Sequence, residues 1–460
     1  MNIETTAMES SKIFAKNNIK PPVEGRCGFF VKRKQRYCKM KPTKGNQFCA
    51  EHAQFDKEQD EGEKRKRIPC PLDPKHSVFE DKLSSHMKKC NATKKTNLPF
   101  FDKNINIGIN HYIRSEKEKL RLYEVPIDEL KNLIEKLRDI HKKVINLISQ
   151  SENTTIHQLL SNEIETQKDC GQNVKKHLVQ QGSLIQILDD NEFFRHDVNV
   201  IEFGAGRGAL SHWVQKAMSS KEGSQQYFLI DRQHNRNKLD CYHKGEDQGP
   251  NFQRLNIDII NLNLNKVDAL VKDNGEVSNI LAIGKHLCGG ATDLSLRCLL
   301  NDQNNKSNSS GEEPSEKRSK TTNKFRENLH GILFALCCYH RCTWDTYVGL
   351  DFMQKHDVTP TQFHFMTKMA TWSTCGFERR QHEDHIADDE SDETNTLNEG
   401  KIHHKLKFSI AEQEEIGHMC KLLIDYGRIQ YIESRGFKPH LVKYISRDVT
   451  PENIALLVNK

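Results

Sequence analysis

At 460 residues, of which 35% are hydrophobic and 29% charged, the chain has the length for two or three domains. Its mean hydropathy of −0.75 excludes a protein built on apolar membrane spans, since no run approaches the ~18 residues that a bilayer crossing needs. The formal charge of +6 is uneven: residues 1–150 hold 32 Lys+Arg against 20 Asp+Glu, a net +12, and the remainder carries −6.

A basic front third suits a phosphate backbone, although a solvated surface or an import signal has the same composition. The runs are Lys64-Arg65-Lys66-Arg67, Lys88-Lys89 and Lys94-Lys95. The first residues lack the apolar core and cleavage site of a secretory signal, so a reducing compartment is expected, nucleus or cytoplasm. There the fourteen cysteines read as metal ligands, active-site groups or buried packing rather than disulfides.

Residues 1–24 read as a polar tail. Next come Cys27, Cys38, Cys49 and His52 in the spacing C-x10-C-x10-C-x2-H, within a module spanning residues 25–55. Four such ligands with too few large apolar neighbours for a core are what a tetrahedral structural zinc needs. After a charged linker, Cys70, His76, His86 and Cys90 (C-x5-H-x9-H-x3-C) form a second set within residues 68–92. Its last two ligands lie four apart, on one face of an expected helix. Two zinc ions are therefore expected, both structural, because four protein ligands leave no position for a substrate.

Within residues 115–150, Leu130, Ile134, Leu137, Ile140, Val144 and Leu147 recur at helical spacing after Pro126. That pattern fits a helix packed on its own domain or a short coiled coil.

From Gln180 to the end the chain reads as a doubly wound α/β domain, with strands at Val198–Phe203, Tyr227–Asp231, Phe252–Ile257, Asn279–Ile283 and His330–Leu336. Polar insertions interrupt it at 301–323 and 383–400. The tail offers a helix around Arg428 and then strands near Leu441–Ile445 and Ile454–Val458, an antiparallel hairpin closing the sheet.

The first strand runs into Glu202, Gly204, Gly206 and Gly208, and a helix starts near Ala209. The spacing E-x-G-x-G-x-G departs from the nicotinamide fingerprint G-x-G-x-x-G and resembles the first motif of class I S-adenosylmethionine methyltransferases. Asp231, ending the next strand, is placed to accept hydrogen bonds from two ribose hydroxyls, and Asp258 to sit beside an adenine. S-adenosylmethionine is thus the expected cofactor.

Two further segments, KHLCGGATD (285–293) and CCYHRC (337–342), are read as loops after the fourth and fifth strands, flanking the transferable methyl. Together with IEFGAGRGALSHW and the two fingers in the same order, they resemble the eukaryotic tRNA acceptor-stem ribose 2′-O-methyltransferases. Those enzymes carry a CCCH finger, and a CHHC finger also found in a minor-spliceosome protein. The resemblance implies methylation of the 2′-hydroxyl of the fourth nucleotide in tRNAs of the glycine, proline and histidine type, with the tRNA acceptor stem as partner.

A ribose hydroxyl is a poor nucleophile, so a base is needed. Lys285 and His286 are the first candidates, with His340 and Arg341 completing the site and the arginine clamping a phosphate. Two rivals remain open. Cys288, Cys337 or Cys338 would serve a covalent C5-pyrimidine methylation, and the fingers alone would serve a non-catalytic RNA-binding factor. A zinc held by Cys337, Cys338, His340 and Cys342 is disfavoured, since ligands so crowded in sequence strain a tetrahedron.

Overall fold

A computed structural model describes residues 25–31, 36–38, 40–42, 47–49, 52, 67–88, 90, 97–167, 171–218, 225–233, 235, 238–243, 251–270, 277–301, 324–374 and 408–460. The expected tail at 1–24 and the insertion at 383–400 lie outside these residues, as does the insertion at 301–323 except for Asn301. The chain divides into two compact units, Met1–Lys94 and Lys95–Lys460.

In the first unit β1 (Phe30–Val31) pairs antiparallel with β2 (Arg36–Tyr37), and β3 (Arg67–Cys70) with β4 (Asp73–Phe79), ahead of the short helix α1 (Leu83–Met87). The only apolar cluster recorded among its described residues is Cys27, Cys38 and Cys49 with Phe29, Val31 and Phe48 against them. A cluster this small offsets little of the entropy of ordering, which is the situation in which a bound metal supplies folding energy.

In the second unit, α2 (Ile127–Val144) buries Leu130, Leu133, Ile134, Leu137, Ile140 and Val144, each worth roughly 1.5–3 kcal/mol against leaving it exposed. These side chains enter the core shared with the sheet, so the helix packs on its own domain rather than pairing as a coiled coil. Leu147 departs from the expected stripe: the helix ends at Val144, and Leu147 stays 65% exposed. A short strand follows, β5 (Gln150–Glu152), then α3 (Gln158–Thr166) and α4 (Gln172–Asp190). Gln180, the expected start of the domain, lies inside α4.

The principal elements that follow are β6 (Val198–Phe203), α5 (Ala209–Met218), β7 (Gln226–Ile230), β8 (Asn251–Leu255), β9 (Asn279–Cys288), α6 (Gly290–Leu300) and β10 (Leu329–Cys337). After them come α7 (Pro360–Met369), α8 (Ile410–Glu433), β11 (Lys438–Lys443) and β12 (Ile454–Asn459). The strands form one mixed sheet in the order β5-β11-β12-β10-β9-β6-β7-β8. Pairing is parallel throughout except where β12 meets β10 and β11. The tail does form an antiparallel hairpin, but β5 pairs beyond it at the edge, so the hairpin does not close the sheet.

Side chains alternate across the strands. Ile201 and Phe203 enter a core completed by α2, α6, α7 and α8, while Val198 and Val200 enter a second core with α4 and α5. Both faces are thereby covered, which is why VNVIEF is buried along its whole length. Among the described residues no helix is long and apolar enough to cross a membrane.

Candidate active site and zinc sites

Beyond β6 the chain turns sharply into α5, with Gly204, Gly206 and Gly208 at φ +65°, +51° and +77°, conformations that cost a side-chain-bearing residue dearly. Two of these glycines are packed: a Cβ on Gly208 would come 2.6 Å from Leu229, and one on Gly204 would come 3.2 Å from Leu287. Gly206 instead faces open space, with nothing within 4 Å of such a Cβ. Its N–H donates to Asp231 Oδ2 (2.8 Å), and the N–H of Gln233 donates to Oδ1 (2.8 Å), so the half-buried carboxylate at the end of β7 is held against the glycine turn.

Glu202 is buried, and its Oε2 accepts from the Ser211 N–H (3.0 Å) and hydroxyl (2.5 Å) in the first turn of α5. Burial raises its carboxyl to about 7 despite those bonds. Glu202 therefore anchors the turn from beneath. Asp258 caps a short 3-10 turn through the Ile260 N–H (3.2 Å) and remains half-buried.

Arg254 was not legible in sequence. Its guanidinium grips Asp240 (Nη2 to Oδ1, 2.7 Å) and donates to the Gly206 carbonyl (2.8 Å). Burial works to raise the Asp240 carboxyl, but the hydrogen bonds and charge of Arg254 outweigh it and hold the group below its ordinary value. This pair braces the glycine turn from the side of β8.

The segment KHLCGGATD is not a loop. β9 continues to Cys288, Gly289 turns the chain at φ +42°, and α6 starts at Gly290. Pairing with β10 slips after Lys285↔Ala335 and resumes at Leu287↔Leu336, which leaves His286 as one extra residue on β9. The side chain of His286 lies outside the described residues. Burial lowers the Lys285 ammonium to about 8, although Glu202 nearby works the other way, and Nζ lies 3.2 Å from His177 Nδ1. A lysine so tuned has a substantial neutral fraction near physiological pH.

CCYHRC separates its members. Tyr339 and Cys342 are buried, whereas His340 and Arg341 are exposed. Although the residue is exposed by surface area, partial desolvation of its ring, with the charges of Lys368 and Arg341, lowers the His340 imidazole. Cys337 and Cys338 meet Cys288 from β9, all three sulfurs lying within 4.8 Å of one another. Hydrogen bonding with Cys337 and Cys338, with the Arg341 guanidinium adding to it, pulls the Cys288 thiol well below its ordinary value. Cys342 points elsewhere, 3.2 Å from the guanidinium of Arg428.

In the first unit, the ligand atoms of Cys27, Cys38, Cys49 and His52 all lie within 4.8 Å of one another. The Cys38 and Cys49 sulfurs are 3.9 Å apart, and His52 Nδ1 lies 3.3 Å from Cys49 and 3.5 Å from Cys27. Four sulfurs at ~2.3 Å from zinc would stand about 3.8 Å apart, so the donor set fits the ion. In the second finger Cys70 and Cys90 are 3.7 Å apart, and His86 Nε2 lies 3.2 Å from Cys70. The side chain of His76 lies outside the described residues, and Cys90 falls beyond α1 rather than on its face.

A family model described as Methyltransferase TRM13 matches residues 179–459. The chain belongs to the TRM13 methyltransferase family. A model for the CCCH zinc finger in TRM13 protein matches residues 25–53, and one for the U11-48K-like CHHC zinc finger matches residues 67–91, which agrees with the two clusters of cysteine and histidine. Relatives include the tRNA:m(4)X modification enzyme TRM13 homologs of Mus musculus and Homo sapiens, each 34% identical with 95% of this chain and 94% of the relative covered. The tRNA:m(4)X modification enzyme TRM13 of Saccharomyces cerevisiae is 31% identical, with 96% of this chain and 97% of the relative covered. Likeness to TRM13 thus extends through the fingers and the sheet alike.

Proposed function

We propose that this chain is an S-adenosylmethionine-dependent tRNA methyltransferase, acting in the nucleus or cytoplasm on the ribose 2′-hydroxyl of nucleotide 4 of the acceptor stem. The names of its relatives, as tRNA:m(4)X modification enzymes, support the substrate. The observation that carries the chemistry is the open face of Gly206 above a carboxylate fixed by its own N–H, with Lys285 within the neighbouring strand β9, three residues before its carboxyl end. Helices on both faces and the run of parallel strands from β8 to β10 support a class I, Rossmann-like architecture with its site at the carboxyl ends of the strands.

The donor set fits the cofactor: Asp231 has lone pairs left for ribose hydroxyls, the turn at Gly204, Gly206 and Gly208 lets backbone approach a ligand, and Asp258 would flank the adenine. S-adenosylmethionine, when bound, supplies an electrophilic methyl group. Neutral Lys285 would take the proton of the 2′-hydroxyl onto Nζ, and the exposed His340 and Arg341 would hold substrate, the arginine at a phosphate. Both fingers would bind tRNA, each with a structural zinc.

The lowered Cys288 thiol favours one rival, covalent C5 methylation of a pyrimidine. Product chemistry separates the two. Total tRNA treated with the protein and labelled S-adenosylmethionine should yield label in an alkali-resistant dinucleotide, because a methylated 2′-oxygen cannot attack its phosphate. Label recovered after alkali only in mononucleotides would overturn the ribose reading.

A further inference from the structure

We propose that Cys288, Cys337 and Cys338 form a third zinc site, a three-thiolate centre at the carboxyl ends of β9 and β10, separate from both fingers.

Two backbone irregularities bring the sulfurs together. Adjacent residues of a strand point to opposite faces, so Cys337 and Cys338 could not share a ligand if β10 simply continued. Cys338 instead adopts φ +51°, ψ +47°, a left-handed conformation rare for a residue with a side chain. On the partner strand, the extra residue at His286 sets Cys288 directly opposite Cys337. The result is a Cys288–Cys338 sulfur separation of 3.4 Å, close to the 3.7 and 3.9 Å between cysteine sulfurs in the two fingers.

Packing alone would bury such thiols, as it buries Cys298 and Cys420 at 1% and 0% exposure. Cys337 is buried in the same way, but Cys288 and Cys338 are only partly covered. Zinc ion and three thiols give a trithiolate complex of charge −1 with release of three protons, and the Arg341 guanidinium, hydrogen-bonded to Cys288, offsets that charge. Three protein ligands leave the fourth position to water or another small oxygen ligand, in contrast to the closed fingers.

The test is a count of zinc per chain in the full-length protein, prepared in reducing buffer with zinc present and measured by inductively coupled plasma and native mass spectrometry. Three ions are expected, falling to two in Cys288→Ser/Cys338→Ser. The variant Cys27→Ser/Cys49→Ser/Cys70→Ser/Cys90→Ser, which removes two ligands from each finger, should keep one, so the count does not depend on the first variant folding. Two ions in the wild type, none in the four-site variant, or a Cys288–Cys338 disulfide in non-reducing peptide maps would each overturn the proposal.

Discussion

Arg428 on α8 grips Asp293 on α6 with two hydrogen bonds, Nε to Oδ1 at 3.0 Å and Nη2 to Oδ2 at 2.7 Å, and both side chains are essentially excluded from water. The same guanidinium donates to Asp425 (2.9 Å) and to the Gly289 carbonyl (3.3 Å), and Tyr339 donates to Asp425 (2.6 Å). One buried cation thus ties the turn after β9, the strand that carries Lys285 and Cys288, to the turn after β10, which carries His340. Arg428→Met would leave Asp293 and Asp425 buried without their counter-charge, a loss of about 3–5 kcal/mol. Urea unfolding followed by tryptophan fluorescence reads it cleanly, since Trp213, Trp344 and Trp372 all lie in the second unit. A loss under 1 kcal/mol would mean that water or rearrangement relieves the carboxylates.

Asp231→Ala should weaken S-adenosylmethionine binding by roughly 1.5–3 kcal/mol, the cost of deleting a charged hydrogen-bond partner. Part of that loss would come from the turn itself, because the substitution also frees the Gly206 and Gln233 N–H groups. Gly206→Val should abolish binding, since it forces a branched residue to φ +51° and fills the open face. Calorimetry giving wild-type affinity for either variant would remove that residue from the cofactor site.

With Lys285 lowered to about 8 by burial, the neutral, proton-accepting form grows as pH rises. The rate of methyl transfer should therefore climb about tenfold per pH unit below 8 and level off above it. Lys285→Met should lose on the order of 100-fold in rate and flatten that profile, with cofactor affinity preserved. A variant that is slower but keeps the same pH profile would show that another group takes the proton.

Chelation of zinc should make residues 27–90 sensitive to protease while the tryptophan signal stays native. Among its described residues the finger unit has one small apolar cluster, Cys27, Cys38 and Cys49 with Phe29, Val31 and Phe48, whereas the second unit has two large apolar cores. Cys49→Ala and His86→Ala should each weaken tRNA binding more than S-adenosylmethionine binding, measured by filter binding and calorimetry. Equal losses in both assays would tie the fingers to cofactor binding as well.

Local rules suffice for much of this molecule. Ligand spacing marks the fingers because four donors within a short stretch need only a tetrahedron to converge. The glycine turn is legible because left-handed backbone at three alternate positions admits little besides glycine, and the central strands because both faces are buried. Hydrophobic periodicity likewise gives α2, although it cannot say that Leu147 falls outside the helix.

Contacts between distant residues are another matter. The sequence offers no local signal that Arg428 meets Asp293, that Arg254 braces Gly206, or that β9 runs through Lys285 to Cys288, since each depends on which strands become neighbours. Within CCYHRC all three cysteines look equivalent. The left-handed turn at Cys338 and the slipped register at His286 send Cys337 and Cys338 toward Cys288, and Cys342 toward Arg428. Side-chain direction on a strand is set by pleat and register, and those are fixed only when the whole sheet has formed.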